Sequence, residues 1–564
     1  MQTDYQQLRF DYLRAAEHDA PSNAVHPVVI VGAGPVGLST AIDLAQQGVE
    51  VVLVDNDDTL SSGSRAICFA KRTLEIFDRL GCGERMVEKG VSWNVGKVFF
   101  QDELIYTFNL LPETGHARPA FINLQQYYVE GYLADRAMQL DDLQIRWKSS
   151  VAGLTQRDDH VELQIETPDG TYPLRARYVV AADGARSALR GLLGLDSRGR
   201  TFKDRFLIAD VKRKVSFPTE RWFWFDPPFH RNQSVLLHRQ PDNVWRIDFQ
   251  LGWDADPVAE KAPERVIPRV KALLGEDVEF ELEWVSVYTF SCLRMDSFRH
   301  GRVLFAGDSA HGVSPFGARG ANSGVQDADN LAWKLRLVVN GDAPSALLDT
   351  YASEREFAAD ENILNSTRAT DFITPKSAVS RLFRDATLKL AKDCAFARRI
   401  VNSGRLSVPA VLSNSPLNTP DDPADSFVCA MVPGSVCTDA PVIADGKDAW
   451  FLHQLSGSEF WGVYFCGLQD DICETAARLA VLAHLPVAVR PLIVAPRGMK
   501  LPPMTGVKVV EDIEGIVAHR FDARPGTFYL VRPDQHVCAR WRALDVASIS
   551  AAVNRATCNA NLNG

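Results

Sequence analysis

No CxxC pair occurs in the chain, and its ten cysteines never join histidines at zinc-site spacing. Dithiol exchange and a structural metal are therefore not expected. The thiols read as reduced, partly buried groups of a cytoplasmic protein. No run of about 18 apolar residues is present to cross a bilayer. The first 26 residues are too polar to hold the apolar segment of a signal peptide. Lys/Arg-rich tracts are missing and the formal charge is −10, so a phosphate backbone finds no basic face and nucleic acid is excluded as a partner. Internal repeats and low-complexity tracts are also absent. What is present is an ordinary globular composition, 46% hydrophobic and 23% charged over 564 residues, enough for several domains with a large core.

Val28 to Val31 is a β-branched run of the kind a buried parallel strand needs. A glycine turn, a helix from Val36 to Gln47 and a second strand from Glu50 to Val54 complete a βαβ unit. The turn reads Gly32-Ala33-Gly34-Pro35-Val36-Gly37. In this pattern Gly32 permits the tight turn, Gly34 lets the backbone approach a pyrophosphate, and Gly37 allows close packing of helix on strand. The helix N-terminus, with Pro35 at its start, offers unpaired N–H groups to phosphates. Asp55 ends the second strand, placed to accept hydrogen bonds from a ribose diol. The motif leaves FAD and NAD open, while a carboxylate at 55 disfavours NADP.

Residues 205–290 are rich in strand formers and predict a mostly antiparallel sheet with one helix near 260–274. Residues 352–412 are helix-rich, 413–426 form a proline-bearing linker, and 427–560 form a last α/β unit. The expected organisation is an arm (1–26), a dinucleotide-binding domain (27–200 and 285–375), a sheet domain (201–284), a helical segment with linker (376–426) and a C-terminal domain (427–564). Along Trp245–Gln250 the alternation puts Arg246, Asp248 and Gln250 on one face, with His238 and Tyr288 in neighbouring strands. This face is either solvated or the polar floor of a substrate site. The aromatic run Trp222–Phe225 with Phe229 reads as core or lid.

Two further segments complete a pattern. Tyr178-Val-Val-Ala-Ala-Asp183-Gly184 through Arg190 resembles the Asp-Gly motif of class A FAD-dependent aromatic monooxygenases. Residues 301–334, beginning GRVLFAGDSAHG, resemble their Gly-Asp motif and following helix. All three motifs stand in family order. The resemblance implies an α/β fold: a Rossmann-type FAD domain interleaved with an antiparallel substrate sheet, plus a thioredoxin-like domain as in the phenol hydroxylase and 3-(3-hydroxyphenyl)propionate hydroxylase branch. It implies that Asp308 binds the ribityl chain and that the Gly317–Asn322 turn, including Gly320, faces the flavin pyrimidine. It places Pro315 beside the ring, Arg65 and Gln125 on FAD, and Asp183 at both FAD and the nicotinamide. The implied reaction uses NADH or NADPH as a transient co-substrate and O₂. A flavin 4a-hydroperoxide then hydroxylates a small phenolic substrate, with His238, Arg246, Asp248 and Tyr288 as candidate catalytic residues. A non-phenolic polyketide or quinone-type substrate, or a flavin-binding sensor, are the alternatives. In phenol-hydroxylase-like members an acid follows two residues after the position of Arg65. Here that place is Ile67, next to Cys68. The C-terminal domain is expected to give structural support or a homodimer contact.

Overall fold

The computed structural model describes residues 5–19, 24–61, 66–213, 218–401, 406–499 and 506–559. The strand Val25–Val31 is parallel to Val51–Val54 on one side and to Gly170–Ala181 on the other. Val303–Phe305 is parallel to Gly170–Ala181 beyond it. Val28 to Val31 are all buried, which explains the continuous apolar run. The helices Pro35–Gln46 and Gly320–Asn340 meet beside this sheet. Their contact tolerates no side chain at Gly324, where a Cβ would stand 2.6 Å from the Val36 methyl.

A second, eight-stranded sheet has its strands in the order His311–Gly312, Glu281–Met295, Ser197–Lys212, Val244–Leu251, Ser234–Arg239, Arg221–Phe225, Val95–Phe100 and Glu103–Asn109. The last two strands come from the stretch that the sequence assigned to the nucleotide-binding domain, so this sheet borrows a hairpin from it. Alternation sorts the side chains. Leu207, Ala209, Val211, Val235, Leu237, Ile247 and Phe249 form an apolar face, closed by Val266 and Val270 of the helix Pro263–Leu274. The opposite face turns inward, toward the nucleotide-binding half. The aromatic run divides between the two: Phe223 and Phe225 join the inward cluster, Trp224 and Trp222 the outward one.

In the C-terminal part, Phe460–Phe465 is parallel to Val489–Pro496 across the helix Ile472–Ala480 and antiparallel to Phe528–Val531. Val537–Trp541 pairs antiparallel to the latter, and the helix Val546–Ala556 follows. The described part of the N-terminal arm is docked against the body. Tyr5 is buried against Tyr128 and Tyr132, and Phe10 stacks on Trp147 at 4.1 Å. Among the described residues no helix is long and apolar enough to cross a membrane.

Candidate active site

The three glycine-bearing motifs sit at the carboxyl ends of three adjacent parallel strands, ending at Val31, Ala181 and Phe305. Open α/β sheets bind their ligands there. Backbone bonds stitch the ends together: Ala182 N donates to Val31 O, Ala306 N to Ala181 O, and Gly32 N to Val54 O. Gly32 has φ +106° and its Cβ would meet Ala182 O at 2.4 Å; a Cβ on Gly37 would meet Gly32 O at 1.8 Å. Both are glycine for the fold. Gly34 differs, because a Cβ there would meet nothing within 4 Å. Its lack of a side chain leaves room in front of the helix N-terminus at Pro35, as a bound pyrophosphate requires.

Asp55 accepts the N–H of Ala33 at 2.5 Å and of Asp57 at 2.8 Å. Burial pushes its carboxyl up, against the pull of those two N–H groups. Asp183 accepts from Leu189 N at 3.1 Å, while its other oxygen, Oδ1, is shut from solvent without a partner. Gln125 is buried; its amide donates to Pro241 O at 3.4 Å and its Oε1 has no partner. Asp308 lies exposed between buried Gly307 and Ser309, in a single turn after Val303–Phe305. Asn322 uses its side chain on the backbone: it accepts from Ala70 N at 2.8 Å and donates to Cys68 O and Ala318 O. Gly320 opens the helix, and Pro315 is exposed ahead of it. Arg65 lies outside the described residues.

Sequence reasoning missed what braces this cradle. Asp327 is fully buried and accepts from Gly307 N, His311 Nε2 and Arg355 Nε at 2.9, 2.8 and 2.6 Å. It thereby fixes the turn that presents Asp308. Arg190 donates to Ser309 O at 2.8 Å, joining the middle motif to the same turn. Such links between distant segments leave no local pattern.

The inward face of the second sheet abuts this region. Phe316, next to Pro315, meets Phe206 and Phe290 edge-on at 4.9 and 5.5 Å. On another side Asn123 donates to Arg239 O at 2.7 Å, and the Cys68 sulfur lies 3.9 Å from His238 Nδ1. The face is therefore not solvated: Arg246 is 2% exposed, His238 3% and Asp210 4%. Arg246 is bound to Asp210 by two bonds, 2.9 and 3.3 Å, which cancels much of its charge. Burial, together with Arg221 and Arg246, holds His238 well below its ordinary value, so it is neutral. Burial and Asp248 hold Tyr288 well above its own, so it keeps its proton. Asp248 is pushed up to about 6 by burial, with Arg246 opposing, and its Oδ1 is closed off without a partner. Cys68 is pushed up to about 11 by burial and donates to Asn123 Oδ1 at 3.2 Å, so this thiol does not replace the acid missing at Ile67.

The unfilled space at Gly34 and the two orphaned acceptors on Asp183 and Gln125 fit a dinucleotide laid across the strand ends. Residues 26–366 match the family described as FAD binding domain. The chain belongs to this FAD-binding family. It is 33% identical over 345 residues to a flavin-dependent monooxygenase of Mycobacteroides abscessus, covering 58% of this chain and 70% of that one. It is 29% identical over 539 residues to the 3-(3-hydroxy-phenyl)propionate/3-hydroxycinnamic acid hydroxylase 2 of Burkholderia vietnamiensis, covering 93% and 95%. The crystal structure of the flavin-dependent monooxygenase PieE, with FAD and substrate, superposes with a TM-score of 0.78 at 21% identity, over 95% of this chain and 99% of that one. The FAD-binding monooxygenase fold thus extends through the C-terminal part.

Proposed function

We propose that the protein is an FAD-dependent, NAD(P)H-consuming monooxygenase that hydroxylates a small phenolic compound with O₂, in the cytoplasm. Bound FAD supplies the electron and oxygen transfer. Gly34 and the Pro35 helix end would hold its pyrophosphate, Asp55 a ribose, and Asp308 the ribityl chain, with the Gly317–Asn322 turn at the ring. Asp183 and Gln125 each offer a buried acceptor to complete the set.

The observation that carries the substrate reading is Asp248. It is a carboxyl with a proton affinity near neutrality and an unoccupied oxygen, set in an aromatic wall of Phe206, Phe223, Phe225 and Phe290. Asp248 accepts the phenol proton: the phenolic O–H bond breaks, an O–H bond forms on the carboxylate, and the ring gains the electron density that attack on an electrophilic oxygen needs. Protonated Tyr288 serves as a donor on the same face. Neutral His238 positions the Cys68 side, and the aromatic wall excludes water. Arg246 orders the face through Asp210. The C-terminal part is support; its Cys466 is buried, with a thiol pushed up to about 11, and Cys473 is exposed and unbonded.

The test is to incubate the FAD-loaded protein with NADH or NADPH and a panel of phenols. NAD(P)H oxidation accelerated by a phenol, with one oxygen atom from ¹⁸O₂ in the product, is expected. Fast NAD(P)H oxidation that yields only hydrogen peroxide with every phenol overturns the reading.

A further inference from the structure

The helix Ala378–Ala391 is apolar on a side that faces solvent. Its buried stripe is Arg384, Thr387, Leu388 and Ala391, at i, i+3, i+4 and i+7. Val379, Leu382, Phe383 and Leu390 fall at i, i+3, i+4 and i+11, a second stripe on another side of the same helix. Val379 is 77% exposed and Leu382 71%, and Phe383 and Leu390 are exposed with them. The short helix Ala395–Val401 packs beside the first and adds Phe396 and Ile400, both exposed and one turn apart. Single exposed apolar residues are ordinary; six on one helix pair, at helical spacing, are a surface that water does not favour. The buried side has a place in the fold. Leu388, Ala391, Ala397 and Val401 join the cluster of Phe206, Phe223, Phe225 and Phe290, and the Arg384 guanidinium lies 5.8 Å from the centre of the Phe225 ring. The pair therefore roofs the aromatic wall of the second sheet. Its charge also departs from that of the whole. Residues 378–401 hold six Lys/Arg and two Asp, in a chain whose formal charge is −10. Arg384 is paired with Asp385 and Lys392 with Glu103, while Lys389 and Arg399 are exposed, next in sequence to Leu390 and Ile400.

We propose that this helix pair docks the protein, reversibly, on an anionic lipid surface. The helix Ala378–Ala391 has 14 residues, about 21 Å of helix and too short to cross a bilayer. It lies in the plane of the interface, with Leu382, Phe383 and Phe396 among the upper acyl chains and Lys389 and Arg399 at the headgroups. Apolar side chains on one face, flanked by Lys and Arg, are what such a position needs, and each cation near an anionic surface adds about fivefold to the affinity. Charge decides the occupant. A second copy of the chain would meet this face through a two-fold axis, setting the patch against itself and its cations against their own kind. An anionic surface attracts the patch and repels the rest of a chain with an excess of acid, so it also orients the molecule. Docked in this way, the roof of the aromatic wall is held against the phase in which aromatic compounds collect. The proposal goes beyond the hydroxylase reading and does not depend on it.

The experiment sediments the full-length, FAD-loaded protein with vesicles of phosphatidylcholine alone, or of phosphatidylcholine mixed equally with phosphatidylglycerol. The anionic vesicles are expected to bind it at least about tenfold more tightly, and about 0.5 M salt should remove most of that difference. Leu382→Glu combined with Phe396→Glu should weaken binding to the anionic vesicles by about tenfold or more, with FAD content unchanged, because both side chains already stand in water. Lys389→Glu combined with Arg399→Glu should bring the two kinds of vesicle close to equal. Unaltered protein that stays in the supernatant with both vesicles overturns the proposal, whatever the variants do. So does equal binding to both, or a Leu382→Glu, Phe396→Glu protein that binds as before. A dimer in sedimentation velocity that this double variant abolishes, without vesicle binding by the unaltered chain, would give the face to a second copy and overturn the proposal as well.

Discussion

Two clusters of buried charge can be set side by side. One joins the C-terminal part to the helices Gly320–Asn340 and Leu347–Ile373. Glu354 accepts from Arg532 Nη1 and Ser415 on one oxygen, at 2.7 and 2.5 Å, and from Lys334 and Asn330 on the other, both at 2.7 Å. Arg532 also holds Asp534 through two bonds, 2.9 and 2.5 Å. The two cations hold Glu354 far below the usual carboxylate range despite its burial, and burial brings Lys334 down to about 8. The other cluster is the inward face of the eight-stranded sheet, where Arg221 and Asp248 each keep an unbonded atom. The first arrangement is closed upon itself and has nothing left to offer a ligand. The second is open. Burial of charge is common to both, so burial alone does not mark a site; the two differ in how completely their groups are paired.

The closed cluster gives the largest expected effect. Glu354→Gln leaves Arg532 and Lys334 buried with their countercharge reduced, and should cost about 3–5 kcal/mol, a fall in Tm of roughly 10 °C. A fall of only a degree or two would mean that the closed cluster is no more structural than the open one. Asp248→Asn should behave the other way. It should lower kcat about 100-fold, through loss of the proton acceptor, and it should raise stability. The folded protein holds the Asp248 proton more tightly than the unfolded chain does. Stability is therefore drawn off as pH climbs from about 4 to about 6, and the variant escapes that loss, by on the order of 2–3 kcal/mol at pH 8 and by nothing below pH about 4. The same protonation makes kcat of the unaltered enzyme rise with pH through about 6. Activity that is flat across that range, with an unchanged unfolding midpoint in the variant, would place Asp248 among structural residues.

The smallest effect separates folding from cofactor binding within one motif. Gly34→Ala meets nothing in the protein, so the cofactor-free stability should stay within about 0.5 kcal/mol of the original, while FAD retention on dialysis falls. Gly37→Ala cannot fit and should fold poorly. Equal destabilisation by both would remove the pyrophosphate from Gly34.

The cradle was legible in the sequence because each part has a local cause. A β-branched run, glycines at fixed offsets and an acid ending the next strand report directly on a strand, a turn and a second strand. The inward face of the second sheet was not. Arg246, Asp248 and Gln250 alternate whether the face meets water or a second domain, and only the chain's return through Phe316 decides between these. Arg221 escaped notice because it begins an aromatic run that reads as core; its spacing with Phe223 and Phe225 was the available signal. The closed cluster draws on residues 334, 354 and 532, too far apart for any periodicity to connect.

The helix Gly320–Asn340 has 21 residues, about 31 Å of continuous hydrogen-bonded backbone. Asn322 ties its first turn to the strand Cys68–Ala70, and Asn330 and Lys334 bind its middle to Glu354. It is a beam seated at its first turn and again at its middle. A fault introduced at Arg532, which pairs with Glu354, would be carried along it to the turn at Gly320, so substitutions chosen only around the inward face of the second sheet would overlook what seats this helix.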